Sequence, residues 1–417
     1  MNAQAQPDPA TYQFNPADPD LIRNPYPYYR VMRNAPGLHR AAGGYWVASR
    51  HADVREVLTN PAFGQGDFVK NIQLFYGPAF DPMQHSSYRW LSEVFLMQDP
   101  PAHTRLRKLV ASALTPKRVA AMQPRIEAIT SELLDKVEGR GRMEVLWDFA
   151  YQLPTLVMCD MLGLEESERT PENLARLTKA VAESFIVFET RVLSDAELAN
   201  ANAQMDYLND FFGRLYERRK AQPQDDLTSD LVQAREDGGT QLSRAELVNV
   251  VIAMFGAGFE TTAHLIGNGL LTLHREPNQW QTLVRDPATY APTTVEEVLR
   301  FESSLQGSYR TALQAATVGG TAVQPGEKVL CGLGSANRDE DVFERPDTMD
   351  ITRRDTRILS FGGGIHHCIG QQLARLEGRV AFTAIASRLP QMTVDTANPA
   401  WRPGFLFRGL KELHAAW

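Results

Sequence analysis

Cysteine is scarce in this chain of 417 residues: Cys159, Cys331 and Cys368 lie far apart, and no CxxC pair exists. So sparse and odd a set argues against a secreted disulfide framework and for a reducing compartment. A zinc site fails on the same spacing. A basic excess is also missing. The net charge of −7 and the pI near 5.8 give nucleic acid no electrostatic footprint to bind. No Ser/Gly linker, charge block or internal repeat divides the chain, so one large domain over residues 15–417 is expected despite a length that would accommodate two or three. The opening MNAQAQPDPATYQF is polar and proline-bearing, without a signal peptide's apolar core or a membrane-spanning run. A soluble, cytoplasmic protein is expected, with residues 1–14 as a flexible arm.

The most informative stretch is FGGGIHHCIGQQLARLE, from Phe361 to Glu377. Gly362, Gly363 and Gly364 permit positive φ angles or close approach of the backbone to a flat ligand. Gly370 offers a close-packing face, and from Gln371 onward helix formers dominate. Cys368 is therefore expected beside a helix start, where N–H groups and the helix dipole favour a thiolate. A dinucleotide fingerprint is excluded: the third glycine is missing and too little chain remains for a βαβ unit. His366 and His367 are adjacent rather than spaced as metal ligands, and a papain-like nucleophile lacks its partner signature. A fifth ligand to haem iron fits, with a small buried hydrophobe as the plain alternative.

Upstream, NPYPYYRVMRN predicts a short helix after Pro27, and GGYWVAS followed by HADVREVLTN predicts a strand and a helix. Phe63 to Gln98 is aromatic and irregular, which suggests a functional loop. DPPAHTRLRK opens a helix after two prolines and sets His103 and Arg107 four apart on one face, an arrangement suited to a pair of carboxylates. Thr115-Pro116 caps the next helix. The segment from about Leu174 to Glu197, whose Phe185 to Phe188 have no obvious periodic partner, reads as a mobile lid. Ser194 with Glu197, and Ser243 with Glu246, are capping boxes that start two long helices. The second runs for about 30 residues, roughly 45 Å, to Pro277. Its centre is inconsistent with a plain core rod: Gly256 and Gly258 each weaken it by about 1 kcal/mol, and Glu260-Thr261-Thr262 interrupts the apolar run. Thr261 could bond back to the backbone near Ala257 and open a groove there. Glu297 and Arg300 share a helix face, a strand carries Arg310, and RPGFLFRGLKEL reads as a terminal hairpin bringing Phe405 or Phe407 toward a pocket.

These stretches resemble the cytochrome P450 family. FGGGIHHCIGQQLAR is similar to its haem-binding signature, and DPPAHTRLR, AGFETT and EEVLR resemble three further family motifs in the expected order. The resemblance implies a mainly α fold with small β regions, with haem between the long helix and the cysteine loop. It implies Cys368 as the axial thiolate of haem b (iron protoporphyrin IX), and His103, Arg107 and Arg310 as propionate partners. Phe361, Gly362, His366, Gly370 and Ala257 are further haem-binding positions on the same basis. Glu260 and Thr261 would be the acid–threonine pair acting on bound O2. Thr348 stands where the arginine that closes a triad with Glu297 and Arg300 is often found, which predicts an incomplete network. Ser304 replaces a frequent proline and leaves the path of Leu305 past the pocket open.

The activity implied is O2-dependent monooxygenation, hydroxylation or epoxidation of an apolar small molecule, by a monomer. Electrons would come from a ferredoxin and its reductase, since no flavin or nicotinamide motif is present. Arg105, Lys108, Lys117 and Arg118 are the expected docking patch. Ala253, Gly256 and Ala257 would leave room above the iron, and Leu305 and Phe407 would supply apolar walls for a bulky natural-product scaffold. Lys70 and Arg191 are the cations that would anchor a substrate carboxylate. The alternatives are a peroxide-driven peroxygenase, against which the Glu260-Thr261 pair counts, and a haem sensor or carrier without turnover, against which the aromatic 63–98 stretch counts.

Overall fold

The computed structural model describes residues 12–189, 191–234, 241–355 and 357–417. Its contacts fall into two compact units, one built from residues 1–64, 130–150 and 261–417, the other from 65–129 and 151–260.

The first unit holds the sheets. Strands His39–Arg40, Trp46–Ala48, Lys328–Gly332, Gly307–Ala312 and Phe63–Gly64 lie side by side in that order. Trp46 pairs with Val329 in parallel and Ser308 with Cys331 antiparallel. The central strand is apolar on both faces, as a strand covered on both sides must be, and Val329, Leu330 and Cys331 are fully buried. Helix His51–Thr59 covers one side with Val54, Val57 and Leu58. A tight hairpin joins Ala316–Val318 to Thr321–Val323 through Gly319 and Gly320, whose φ angles of 55° and 82° suit a two-residue connection. Helices Pro287–Phe301 and Gln371–Arg388 pack closely in the same unit: a Cβ on Gly378 would lie 3.0 Å from Val295.

Two expectations change here. Residues 1–11 lie outside the described residues, but Phe14 is 1% exposed, bridges Ala41 and meets the Phe405 ring edge-on at 5.1 Å. The arm therefore stops short of Phe14. Phe405, buried in that contact, is a core residue and not a wall of a substrate chamber.

The second unit is helical. It contains Ala102–Ala113, Pro116–Ala121, Gln152–Leu162, Pro171–Ser184, Asp195–Ala221 and Leu227–Gln233. Both capping boxes form: Ser194 Oγ accepts from Glu197 N while Glu197 returns to Ser194 N, and Ser243 with Glu246 does the same. Helix Arg244–Arg275 starts in this unit and ends in the other. It is long and apolar enough to cross a membrane, but 72% of its most apolar window is buried within the protein, so it is a core helix.

The 63–98 stretch is not irregular, as expected, but holds helices Phe68–Tyr76 and Ser86–Glu93. Asp67 caps the first by accepting from Lys70 N, and Gly77, at φ 89°, ends it. Asn202 Oδ1 accepts from Ser87 N and Oγ at the start of the second.

Candidate active site

The cysteine loop leads out of Leu359 and Ser360 and into helix Gln371–Arg388. Gly362 takes φ 68°, a left-handed conformation that a residue with a Cβ adopts only under strain. Gly364 meets a different demand: a Cβ there would overlap the Leu58 carbonyl at the end of helix His51–Thr59. The turn brings Cys368 N to donate to Phe361 O at 2.9 Å. Cys368 is half-buried, whereas Cys159 and Cys331 are fully buried, with thiols that burial pushes up to about 12. Among three cysteines, only Cys368 has the exposure a reactive or ligating thiolate needs. Gly370 is the N-cap of the helix, and a Cβ there would meet no protein atom within 4 Å, so the close-packing role expected of it is not met against protein.

Below this loop lies a buried charge network. Arg300 donates from Nε and Nη2 to the two Glu297 oxygens, each at 2.8 Å, and from its terminal nitrogens to the carbonyls of Asn337, Pro346 and Thr348. Each of its five N–H donors has a role, as a fully buried guanidinium requires. The triad is complete. Arg353 Nε reaches Glu297 Oε2 at 3.2 Å, and Asp350 N donates to Oε1 at 2.8 Å. The expectation of an incomplete network is therefore corrected: Thr348 contributes its carbonyl, and the third charge comes from five residues further on.

Leu305 and Phe407 come together in the same unit as an isolated antiparallel pair. Gln306 N donates to Leu406 O and Arg408 N to Ser304 O, each at 2.8 Å, so the pair sits between flanking hydrogen bonds and is of the type whose side chains lie closest. Asn268 Nδ2 holds the hairpin at Arg408 O, 2.9 Å away. Behind it Arg408 pairs with the buried carboxylate of Glu302, which also accepts from Tyr26 Oη at 2.7 Å. Ser304 accepts from Arg408 N through its backbone carbonyl, a bond that a proline there would allow equally. Arg310, 4% exposed on strand Gly307–Ala312, donates to Ser308 Oγ at 2.9 Å, and His366 is buried in the cysteine loop.

In the helical unit His103 is 2% exposed, with Arg107 one turn later and half-buried on helix Ala102–Ala113. On the long helix Ala257 is exposed and Ala253 and Thr261 are half-buried, spaced four apart on one face, while Phe255, Phe259 and Glu260 are buried. Gly256 does not make room as expected. A Cβ there would overlap the Phe185 ring, which also stacks on Trp90 at 5.0 Å. Phe185 and Val187 are buried, so the segment expected as an unpartnered lid is a short turn, Phe185–Phe188, packed into the helical unit.

The expected surface cations are mostly engaged. Arg105 pairs with Glu246 and Arg118 with Asp230, which neutralises half of the proposed docking patch and leaves Lys108 and Lys117 exposed. Lys70 is exposed beside Asp67 at 3.5 Å, and Arg191 binds Glu197 at 2.6 Å. That pairing, with Ser194 N, draws the Glu197 carboxyl down to about 2. Both cations thus have carboxylate partners of their own and are not placed as substrate anchors.

A cytochrome P450 family model matches residues 53–394. Cytochrome P450 107B1 of Saccharopolyspora erythraea is 37% identical over 393 residues, covering 92% of this chain and 93% of that protein. The chain is a cytochrome P450. The 6-deoxyerythronolide B hydroxylase of the same organism is 38% identical over 319 residues, 76% of each chain. Among solved structures, P450BioI in complex with an acyl carrier protein ligated to hexadec-9Z-enoic acid superposes with a TM-score of 0.87 at 32% identity, covering 95% of this chain and 99% of that one.

P450s carry haem b and use O2 in monooxygenation. The residues of this chain fit that group in each unit separately. The sheet unit offers one half-buried cysteine on a glycine turn and a buried arginine and histidine. The helical unit offers a buried histidine, an arginine one turn on, and a helix face of small side chains. No group of three or more His, Cys, Asp or Glu suited to a metal ion occurs among the described residues, so a single cysteine on an iron already held by a macrocycle matches the donor set.

Proposed function

We propose that this P450 inserts one oxygen atom from O2 into a bulky apolar molecule, a natural-product intermediate, by hydroxylation or epoxidation. Electrons come from a ferredoxin and its reductase, and the enzyme works as a cytoplasmic monomer. The observation that carries the substrate class is the Leu305–Phe407 pair, two apolar side chains held together by backbone bonds, while Lys70 and Arg191 each have a carboxylate partner of their own. A relative that hydroxylates 6-deoxyerythronolide B supports the same class. A second substrate form, delivered on a carrier protein, has the support of the P450BioI complex.

Bound haem supplies an iron that activates O2, and a thiolate ligand pushes electron density toward O–O cleavage. The chain's own residues do the rest. Cys368 would be the thiolate ligand, His103, Arg107 and Arg310 would pair with the propionates as charge-assisted donors, and His366 would be a further haem-binding position. Gly362, Gly370 and Ala257 would leave a flat group close access to backbone, and Phe361 would be a further haem-binding position. Glu260, 5% exposed in the middle of the long helix, and Thr261, the next residue, would be the acid–threonine pair that supplies protons to the oxygen chemistry. Ala253 and Gly256 face the substrate side, and Gly256 acts through the placement of Phe185.

The test is a titration of the ferric enzyme followed by its spin-state change. Macrolactone-sized and polycyclic scaffolds should respond at micromolar concentrations and short-chain acids should not. Responses confined to short acids and lost in Arg191→Ala would overturn the substrate class. For Thr261→Ala, binding should persist while product per electron falls several-fold and peroxide appears; unchanged coupling would remove Thr261 from the proton path.

A further inference from the structure

Asn337 is fully buried at the end of the short helix Leu333–Ala336, and every polar atom of its side chain is bonded. Oδ1 accepts from Leu359 N at 2.7 Å, while Nδ2 donates to Ser360 Oγ at 2.7 Å and to Ser303 Oγ at 2.9 Å. Both hydroxyls then donate to the Leu299 carbonyl at 2.6 Å, and the Asn337 carbonyl accepts from Arg300 at 3.1 Å. One planar amide therefore reads two consecutive residues, Leu359 and Ser360, and ties them to the last turn of helix Pro287–Phe301.

The next residue is Phe361, whose carbonyl receives the Cys368 N–H. Its ring lies under the Arg375 guanidinium at 4.5 Å, and Arg375 is itself paired with Glu296 on that same helix. The entry to the cysteine loop is gripped twice from one helix, once through Asn337 on the backbone and once through Arg375 on the ring. In a dry interior neither amide bond of Asn337 can be exchanged for water, so any turning of the chain at residues 359–360 breaks both at once.

We propose that Asn337 is a positioning residue for the cysteine: by fixing Leu359 and Ser360 it sets where the Phe361 carbonyl meets the Cys368 amide, and so how the thiolate seats on the iron. The proposal rests on Cys368 being the iron ligand. Outer partners of metal ligands govern ligand orientation and strength, and their loss commonly costs about 10- to 100-fold. Ser360 belongs to the loop, whereas Ser303 reaches it only through the Ser360 hydroxyl 3.2 Å away, so the loop serine should matter more if Asn337 acts by positioning.

The experiment compares holoenzymes carrying Asn337→Ala, Ser360→Ala and Ser303→Ala. It follows the thiolate signature of the reduced carbon monoxide complex and its rate of decay, the iron reduction potential, haem content and thermal unfolding. Expected is a decay about tenfold faster in Asn337→Ala, a few-fold faster in Ser360→Ala with a shifted potential, and a clearly smaller change in Ser303→Ala with the potential unshifted. Equal effects of the two serine changes, or unfolding shifts with an unaltered signature and potential, would overturn the proposal. Should Asn337→Ala not fold, the serine pair still decides. Cys368→Ser is the control for the assignment beneath it: a thiolate signature that survived that change would remove the ligand itself, a result distinct from loss of the Asn337 role.

Discussion

The cysteine loop and the aromatic wall of the helical unit are held by opposite means. Around the loop, cohesion is directional. Glu297 receives Arg300, Arg353 and the Asp350 amide, Asn337 spans three segments, and Arg375 rides on Phe361. In the wall, Tyr76, Phe80 and His85 form a stacked column with centroids 4.1 and 5.1 Å apart, Tyr88 meets all three rings edge-on, and Phe185 stacks on Trp90. Ring contacts add about 0.5–1.5 kcal/mol each and tolerate sliding, whereas a buried charge network fails as a unit. Directional contacts thus hold the cysteine loop, and forgiving ring contacts hold the helical unit.

If that contrast is right, the largest loss should follow Glu297→Ala. It leaves two arginines, Arg300 and Arg353, buried or nearly so without their carboxylate. About 3–5 kcal/mol of stability should vanish, read by denaturant unfolding, with haem lost in the same transition. A change under 1 kcal/mol would show the network to be decoration. Next in size is Gly256→Val, which drives a methyl pair into Phe185 and should cost about 1–3 kcal/mol. Phe185→Ala added to it should recover much of that loss in a double-mutant cycle, and strict additivity would deny the contact.

A smaller effect concerns acid. His264, fully buried against Gly409, is held neutral by burial, with Arg402 adding to the effect, and its value is lowered to about 3. Below about 6.5 the unfolded chain binds a proton there and the folded chain does not, so stability should be level above that pH. It should fall by up to about 1.4 kcal/mol per unit from pH 6.5 to 5. His264→Leu should show a shallower decline than the parent over that window; identical slopes would mean that the imidazole charges without unfolding. The least effect is expected from Tyr76→Phe. Tyr76 Oη accepts from Leu193 N at 2.8 Å and is hydrogen-bonded to Tyr88 Oη at 3.1 Å. Its removal should cost about 1 kcal/mol locally, seen as faster amide exchange at Leu193 with global stability nearly unchanged. A global loss as large as that of Glu297→Ala would erase the difference between the two regions.

Much of this was legible in the sequence because it is local. Capping boxes at Ser194 and Ser243, the proline-opened helix carrying His103, and the glycine turn before Cys368 are each written within a few residues, and each formed. What escaped was either spatial or short. Arg353 reaches Glu297 only because the meander folds back on the helix, which no spacing between 297 and 353 reveals. The helices at Phe68–Tyr76 and Ser86–Glu93 are too short for a periodic stripe to stand out among aromatics, although Asp67 and Gly77 bracket the first with a cap at each end. Gly256 was misjudged for a related reason. A missing side chain is visible in a sequence, but the neighbour that fills its place is not.

That last contact also constrains history. Because Phe185 occupies the space beside Gly256, the two positions cannot be exchanged in any order. A lineage that enlarged residue 256 first would pass through a damaged protein, while one that shrank Phe185 first would open space that a later side chain could inherit. Change at this contact should therefore run as a ratchet, in which the aromatic residue moves before the glycine and earlier steps decide which later ones selection can see.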